Sequence, residues 1–289
     1  MPELPEVETI RTGLNRLLPG RTFKTVTHNN PKSFPNAETD VAGFLIGASV
    51  AVVRRRAKVL IINLSSEYSL LIHLKMTGQL VFVGNERFGG GHPNDSLAAA
   101  LPDKSTRVEF TFTDGSKLFF NDQRKFGWVR LMPTVEIPNI DFMRKVGPEP
   151  LEDGFTAAIL FDRLQRRKNT TIKAAILDQT VLAGIGNIYA DESLWGAQIH
   201  PATLVRDLLR PKIAKLFKEI RYILDFSIQK GGSSNRNYVN AEGKKGSYMD
   251  FARVYRREGL PCPRCGNTII KLRVAGRGTH ICPHDQKLV

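Results

Sequence analysis

The chain has 289 residues, 42% hydrophobic and 24% charged, the balance of a globular protein long enough for two or three domains. No apolar run reaches bilayer length and no charged-then-apolar leader opens the sequence, so neither a membrane protein nor a secreted one is expected, and the expected location is cytoplasmic. Lys+Arg 42 against Asp+Glu 28 gives a net charge of +14, which favours a polyanionic partner.

Removal of Met1 leaves Pro2 as an amino-terminal secondary amine beside Glu3. An α-amino group has a reference pKa near ~7.7–8.0 against ~10.4 for lysine, so part of it is an unprotonated nucleophile at neutral pH. Val7, Ile10, Leu14, Leu17 and Leu18 recur at helical spacing up to Pro19-Gly20, which predicts a packed helix holding that terminus in place. From Arg21 to about Arg130 the segments Phe23–Thr27, Ser49–Arg54, Val59–Asn63, Leu70–Leu74, Leu80–Val83, Arg107–Thr113 and Lys117–Phe120 are short, β-branched and alternating. They predict an antiparallel sandwich or barrel. The Gly/Pro/Asn-rich stretch Asn85–Lys104 reads as a long loop, and its Gly89-Gly90-Gly91 lacks the Gly-Lys-Ser/Thr of a phosphate loop.

Residues 1–132 are therefore expected to form the first domain, 133–150 a linker, 151–252 a helical domain and 253–289 a small finger. In the helical part, Ile213, Leu216, Phe217, Ile220, Ile223 and Leu224 form one apolar stripe, with Lys212, Lys215, Lys218 and Arg221 off it. Gly184-Ile185-Gly186-Asn187 reads as a turn opening a helix, where backbone N–H groups suit a phosphate. Lys168 and Lys173 on one side and Asn187 in the turn favour a DNA-clamping helix–turn–helix over a plain hairpin.

The tail carries all three cysteines and, over residues 251–289, eight Lys/Arg against two Asp/Glu, 8 − 2 = +6. Cys262-Pro263-Arg264-Cys265 is followed after sixteen residues by Cys282-Pro283-His284-Asp285, a strong zinc spacing. One structural zinc per chain is expected. By register its fourth ligand is Asp285; His284 and a metal-free finger are the alternatives. The intervening hairpin would present Arg273 and Arg277 at its tip.

The runs Met1–Glu8, Arg55-Arg56-Ala57-Lys58, His73–Gly78, Asp122–Gly127, Gly147–Leu151, Gly184–Tyr189 and the Cys tail, in this order over nearly the whole chain, resemble the formamidopyrimidine-DNA glycosylase family. The resemblance implies an α+β multidomain fold: a β-sandwich flanked by helices, a helix-two-turn-helix domain and a zinc-ribbon hairpin. It also implies a bifunctional glycosylase and AP lyase, monomeric and without a redox cofactor, that excises oxidised purines from damaged double-stranded DNA. Pro2 would attack the sugar, Glu3 act as acid–base residue, Lys58 serve β-elimination and Arg277 δ-elimination. Arg277 suits stabilising a leaving phosphate better than donating a proton, because a guanidinium stays charged. Met76, Arg124 and Phe126 would fill the space left by an everted base, His73 would lie near phosphates, and Gly231–Tyr238 would cover the base.

Two departures stand out. Lys104-Ser105-Thr106-Arg107-Val108 lacks a phosphate-contacting histidine of many relatives, for which Arg107 or Lys104 is the expected substitute, and Asp285 stands where the fourth zinc cysteine would be. An oxidised-pyrimidine (endonuclease VIII-like) preference and a non-catalytic damaged-DNA binder are the competing readings.

Overall fold

The computed structural model describes residues 1–233 and 248–288, which fall into two compact units. The first comprises Met1–Arg144 with 231–233, the second Lys145–Lys230 with 248–288.

In the first unit, helix α1 (Leu4–Leu17) ends where expected, at Pro19-Gly20, and buries Val7, Ile10 and Leu14. Strand β1 (Phe23–His28), a short turn α2 (Glu38–Asp40), and strands β2 (Val50–Arg56), β3 (Val59–Leu64), β4 (Tyr68–His73), β5 (Gly78–Val83), β6 (Arg87–Gly91), β7 (Thr106–Phe112), β8 (Lys117–Asp122) and β9 (Trp128–Pro133) follow. They make two antiparallel sheets, β1-β7-β8-β5-β6 and β2-β3-β4-β9. Leu60, Ile62, Leu70 and Ile72 of one and Leu80, Phe82, Phe110 and Phe120 of the other share a core with α1, so the alternation expected of a sandwich holds between the sheets.

Two stretches differ from the reading of the sequence. Asn85–Lys104 is not an open loop: β6 extends a sheet, and Leu97 beyond it packs on Val81 and Phe119. Glycine hides this strand because its packing requires the missing side chains. A β-carbon on Gly90 would lie 2.4 Å from Ile10 Cγ1, and one on Gly13 of α1 would lie 2.1 Å from the Phe88 ring. The start of the expected linker is also structured. Residues Thr134–Asn139 form a 3-10 turn, and Ile137, Phe142 and Met143 cover Val59, Ile61 and Leu71 on the outer face of the four-stranded sheet. That cover explains why β3 is apolar on both faces.

After α3 (Asp141–Lys145), the second unit contains α4 (Ala157–Gln165), α5 (Ile172–Leu177), α6 (Asn187–Ala197), α7 (Arg210–Gln229) and the hairpin β10 (Ile270–Val274)–β11 (Arg277–Ile281). Helix α7 buries Ile213, Leu216, Ile220, Ile223 and Leu224, the stripe read from the sequence, while Phe217 is only half-buried. Helix α6 is buried almost all round, Asp191 and Glu192 included. Glu192 accepts the Tyr248 hydroxyl at 2.6 Å and the backbone N–H groups of Arg253, Val254 and Tyr255 at 2.9–3.1 Å. One buried carboxylate thus anchors the segment that leads into the finger. No helix among the described residues is long and apolar enough to cross a membrane.

Candidate active site and nucleic-acid interface

Pro2 and Glu3 are buried at the start of α1 while Met1 is 46% exposed. Glu3 is the N-cap: its side chain accepts the Glu6 backbone N–H, and Glu6 Oε2 accepts the Glu3 N–H at 2.7 Å. This reciprocal cap satisfies backbone donors that a helix start otherwise leaves open. Glu6 Oε1 also accepts the N–H of Ser233 at 2.7 Å. Glu6 therefore ties the amino terminus to the start of the loop expected to cover the base, a role that sequence reasoning missed because a first-turn glutamate ordinarily only caps. Residues 234–238 of that loop lie outside the described residues.

Lys58 and His73 are brought together by strand register. Ala57 turns the chain with a φ of 53°, buried Lys58 follows, and the next residue, Val59, pairs with His73 across β3 and β4. Burial first, then the charges of Lys75 and Lys58, push His73 down to about 3, so the ring is neutral at physiological pH. Its Nδ1 accepts the Lys75 N–H at 3.0 Å, which leaves the ring proton on Nε2 as a donor for a phosphate.

Met76 sits half-buried in the β4–β5 turn, and Arg124 and Phe126 are exposed in the β8–β9 turn. Phe126 is 53% exposed, with the Arg124 guanidinium 4.7 Å from its ring centroid; it is no core aromatic. Asp122, fully buried, joins the two turns. Its carboxylate accepts the Thr77 hydroxyl, the Arg124 N–H at 3.2 Å and the Gly127 N–H at 2.7 Å. The aspartate that heads Asp122–Gly127 is thus a positioning residue, which the motif signalled without revealing its partners.

Arg107 does not replace the missing histidine. It is buried, donating to the carbonyls of Asp122 at 2.8 Å, Lys104 at 3.0 Å and Thr106 at 3.2 Å. An arginine spent on carbonyls beneath the surface cannot reach a phosphate. Lys104 is exposed.

In the second unit Asn187 opens α6, Gln179 holds the preceding turn by accepting the Gly184 N–H at 2.9 Å and donating to Ile185 O at 2.8 Å, and Lys168 is exposed after α4. Lys173 contradicts its expected DNA contact. It is fully buried, 2.6 Å from Asp191 Oδ1 and 2.7 Å from Thr279 Oγ1. Asp191 Oδ2 in turn accepts the His280 N–H at 2.9 Å. This network fastens β11 to α5 and α6, and a lysine so enclosed is structural. Arg277 is exposed at the hairpin tip, opposite Val274 across a two-residue turn of Ala275 (φ 50°) and Gly276 (φ 72°), the left-handed pair that two-residue hairpins favour. Arg273 is exposed beside it.

In the finger, ligand atoms of Cys262, Cys265, Cys282 and Asp285 all lie within 4.8 Å of one another. Cys265 and Cys282 sulfurs are 3.4 Å apart, and Cys262 Sγ is 3.6 Å from Asp285 Oδ2. Tetrahedral zinc with sulfur at about 2.3 Å needs ligand separations of roughly 3.7 Å, so the four fit one zinc. His284 is exposed, its Nδ1 turned to Asp285 Oδ1 at 3.4 Å. The Trp195 indole N–H donates to Cys262 Sγ at 3.4 Å, an outer contact of the kind that orients metal ligands.

Family models described as the formamidopyrimidine-DNA glycosylase N-terminal domain, the formamidopyrimidine-DNA glycosylase H2TH domain and the zinc finger found in FPG and IleRS match residues 1–129, 146–238 and 259–288. The formamidopyrimidine-DNA glycosylase of Pelotomaculum thermopropionicum is 40% identical over 289 residues, covering all of both chains, and that of Enterococcus faecalis is 40% identical, covering 100% of this chain and 98% of its own. A Lactococcus lactis variant solved with Fapy-dG-containing DNA aligns with a TM-score of 0.86 at 33% identity, over 99% of this chain and 100% of that one. The Lactococcus lactis protein with abasic-site DNA gives 0.85 at 33%, over 99% of each. Fold and site together define a DNA glycosylase with a helix-two-turn-helix unit and one structural zinc. The chain belongs to the formamidopyrimidine-DNA glycosylase family.

Proposed function

We propose that the protein excises oxidised purines, 8-oxoguanine and formamidopyrimidines, from duplex DNA and then cleaves the strand, with the Pro2 amine as nucleophile. The observation that carries this reading is the anchoring of the amino terminus by the Glu3–Glu6 cap, which supports a fixed amine rather than a frayed end. With Met1 removed, the Pro2 nitrogen attacks C1′ of the extruded nucleotide and the base leaves with a proton relayed through Glu3; the C1′–O4′ bond then breaks, O4′ taking up a proton as the sugar ring opens, and an iminium remains. Its positive charge acidifies the C2′ proton. Loss of that proton expels the 3′ phosphate, with Lys58 as proton donor, and a second elimination expels the 5′ phosphate, whose charge Arg277 stabilises. His73, Lys168 and Asn187 hold backbone phosphates. Borohydride reduction of the reaction with an 8-oxoguanine:cytosine duplex is expected to trap protein on the strand; cleavage without any trapped adduct would remove Pro2 from this role.

Met76, Arg124 and Phe126 fill the vacated stack. Because Phe126 and Arg124 are exposed, Phe126→Ala and Arg124→Ala are expected to leave stability within ~0.5 kcal/mol while slowing lesion excision at least several-fold. A loss of ~3–5 kcal/mol in Phe126→Ala, the range for buried aromatics, would return it to the core.

Asp285 is the fourth zinc ligand in this reading. Metal analysis should find about one zinc in the wild type and in His284→Ala and a loss in Asp285→Ala. Retention in Asp285→Ala with loss in His284→Ala reverses the assignment.

A further inference from the structure

Seven non-glycine residues of the described chain carry a positive φ, where a β-carbon crowds its own backbone. Two have local explanations: Glu67 turns the chain between β3 and β4, and Gln198 ends α6 as its left-handed cap. Four flank residues placed at the site above. Ala57 precedes Lys58, Lys75 precedes Met76, Lys125 lies between Arg124 and Phe126, and Ala275 lies in the turn before Arg277. The seventh is Arg256, with a φ of 58°.

Arg256 is exposed on a cleft of the second unit that it lines with Asn187, Tyr255, Lys271, Gly278 and His280. Its guanidinium carbon lies 5.9 Å from the Tyr255 ring centroid, and no carboxylate among the described residues pairs with it. The acid of that cleft, Glu258, is engaged by His280 at 2.9 Å and Lys271 at 3.4 Å. Opposite, Asn187 Nδ2 donates one hydrogen to Gly278 O at 2.9 Å, and its second hydrogen is the donor suited to an anion's oxygen. A cation held in a costly backbone conformation, without an internal counter-charge and beside a residue assigned to phosphate binding, is placed to take an anion from outside.

We propose that Arg256 is a further DNA-contacting residue, its guanidinium gripping a backbone phosphate in the cleft between the start of α6 and the finger hairpin. The contact is electrostatic and blind to sequence, and it adds one neutralised phosphate to the interface. The inference rests on the reading that Asn187 holds backbone phosphates.

The test is the salt dependence of lesion-duplex affinity for the full zinc-loaded protein. Each neutralised phosphate contributes about −0.9 to the slope of log K against log [salt]. In R256G and R256Q the slope is expected to flatten by about that amount, with affinity several-fold weaker near ~0.1 M salt, and R256K is expected to keep it. R256G should melt no lower than the wild type, because glycine accepts this φ. R256Q keeps the β-carbon and the backbone, so a wild-type slope in R256Q overturns the proposal whatever R256G does to the fold. Wild-type affinity in Asn187→Ala, whose uncharged side chain does not enter the slope, with the flattened slope present in R256Q, would instead count against the reading of Asn187 and leave Arg256 standing.

Discussion

A chain that keeps Met1, or whose Pro2 nitrogen is acylated after Met1 is removed, is expected to give no borohydride-trapped adduct and no lyase product, yet to bind lesion duplex. The nucleophile in the proposed mechanism is a backbone-terminal amine, so it is lost by chemistry that leaves every side chain in place. Glu3→Gln separates the acid–base role from the cap. The glutamine carbonyl still accepts the Glu6 N–H that Glu3 now accepts, so melting is expected to change little, whereas excision should fall ~10²–10⁴-fold, the usual worth of a positioned acid or base. Melting that falls together with activity would reduce Glu3 to a cap; full cleavage by the blocked chain would overturn the assignment of Pro2.

Breaking the Lys173–Asp191 pair should produce the largest loss of stability. Both side chains are fully buried and 2.6 Å apart, and removing one partner strands the other charge away from water. Lys173→Met or Asp191→Ala is expected to cost ~3–5 kcal/mol, while the double substitution Lys173→Met/Asp191→Leu recovers much of it. Asp191 also holds the His280 backbone, and Lys173 the Thr279 hydroxyl, so the loosened hairpin should misplace Arg277 and slow the second elimination more than base excision. A surface lysine on a phosphate would behave in the opposite way. Lys173→Met would then melt normally and bind DNA with a flatter salt dependence.

The contrast between Lys173 and Lys168 shows where reading a sequence stops. Periodicity revealed α1, the sandwich strands and the stripe of α7 because burial repeats along the chain, and the cysteine spacing revealed the finger because ligand geometry is local. The sandwich, the two-turn helices and the hairpin were legible, and the family motifs pointed to Pro2, Glu3 and Phe126 as candidates. A charged residue carries no mark of a partner far away in sequence. Lys173 meets Thr279 across 106 positions and Arg107 meets the Asp122 carbonyl across 15, and both were read as surface cations. Strand β6 escaped notice for the converse reason, since its glycines express contact through what they lack. Asp122 and Glu6 stood inside recognised motifs, but their function as junctions between turns exists only in three dimensions.

The meshing of α1 with β6 makes the amino terminus one end of a lever. The helix has 14 residues, about 21 Å at 1.5 Å per residue, and bears on the sheet where Gly90 meets Ile10 and Phe88 meets Gly13. A single methyl at either glycine would prise the rod off its seat and swing the amine at its tip, although the methyl itself lies far from any reacting atom. Since a displacement of about 1 Å at a reacting group can cost on the order of 10²-fold in rate, the alignment of the proposed nucleophile would be governed partly by two positions that carry no side chain.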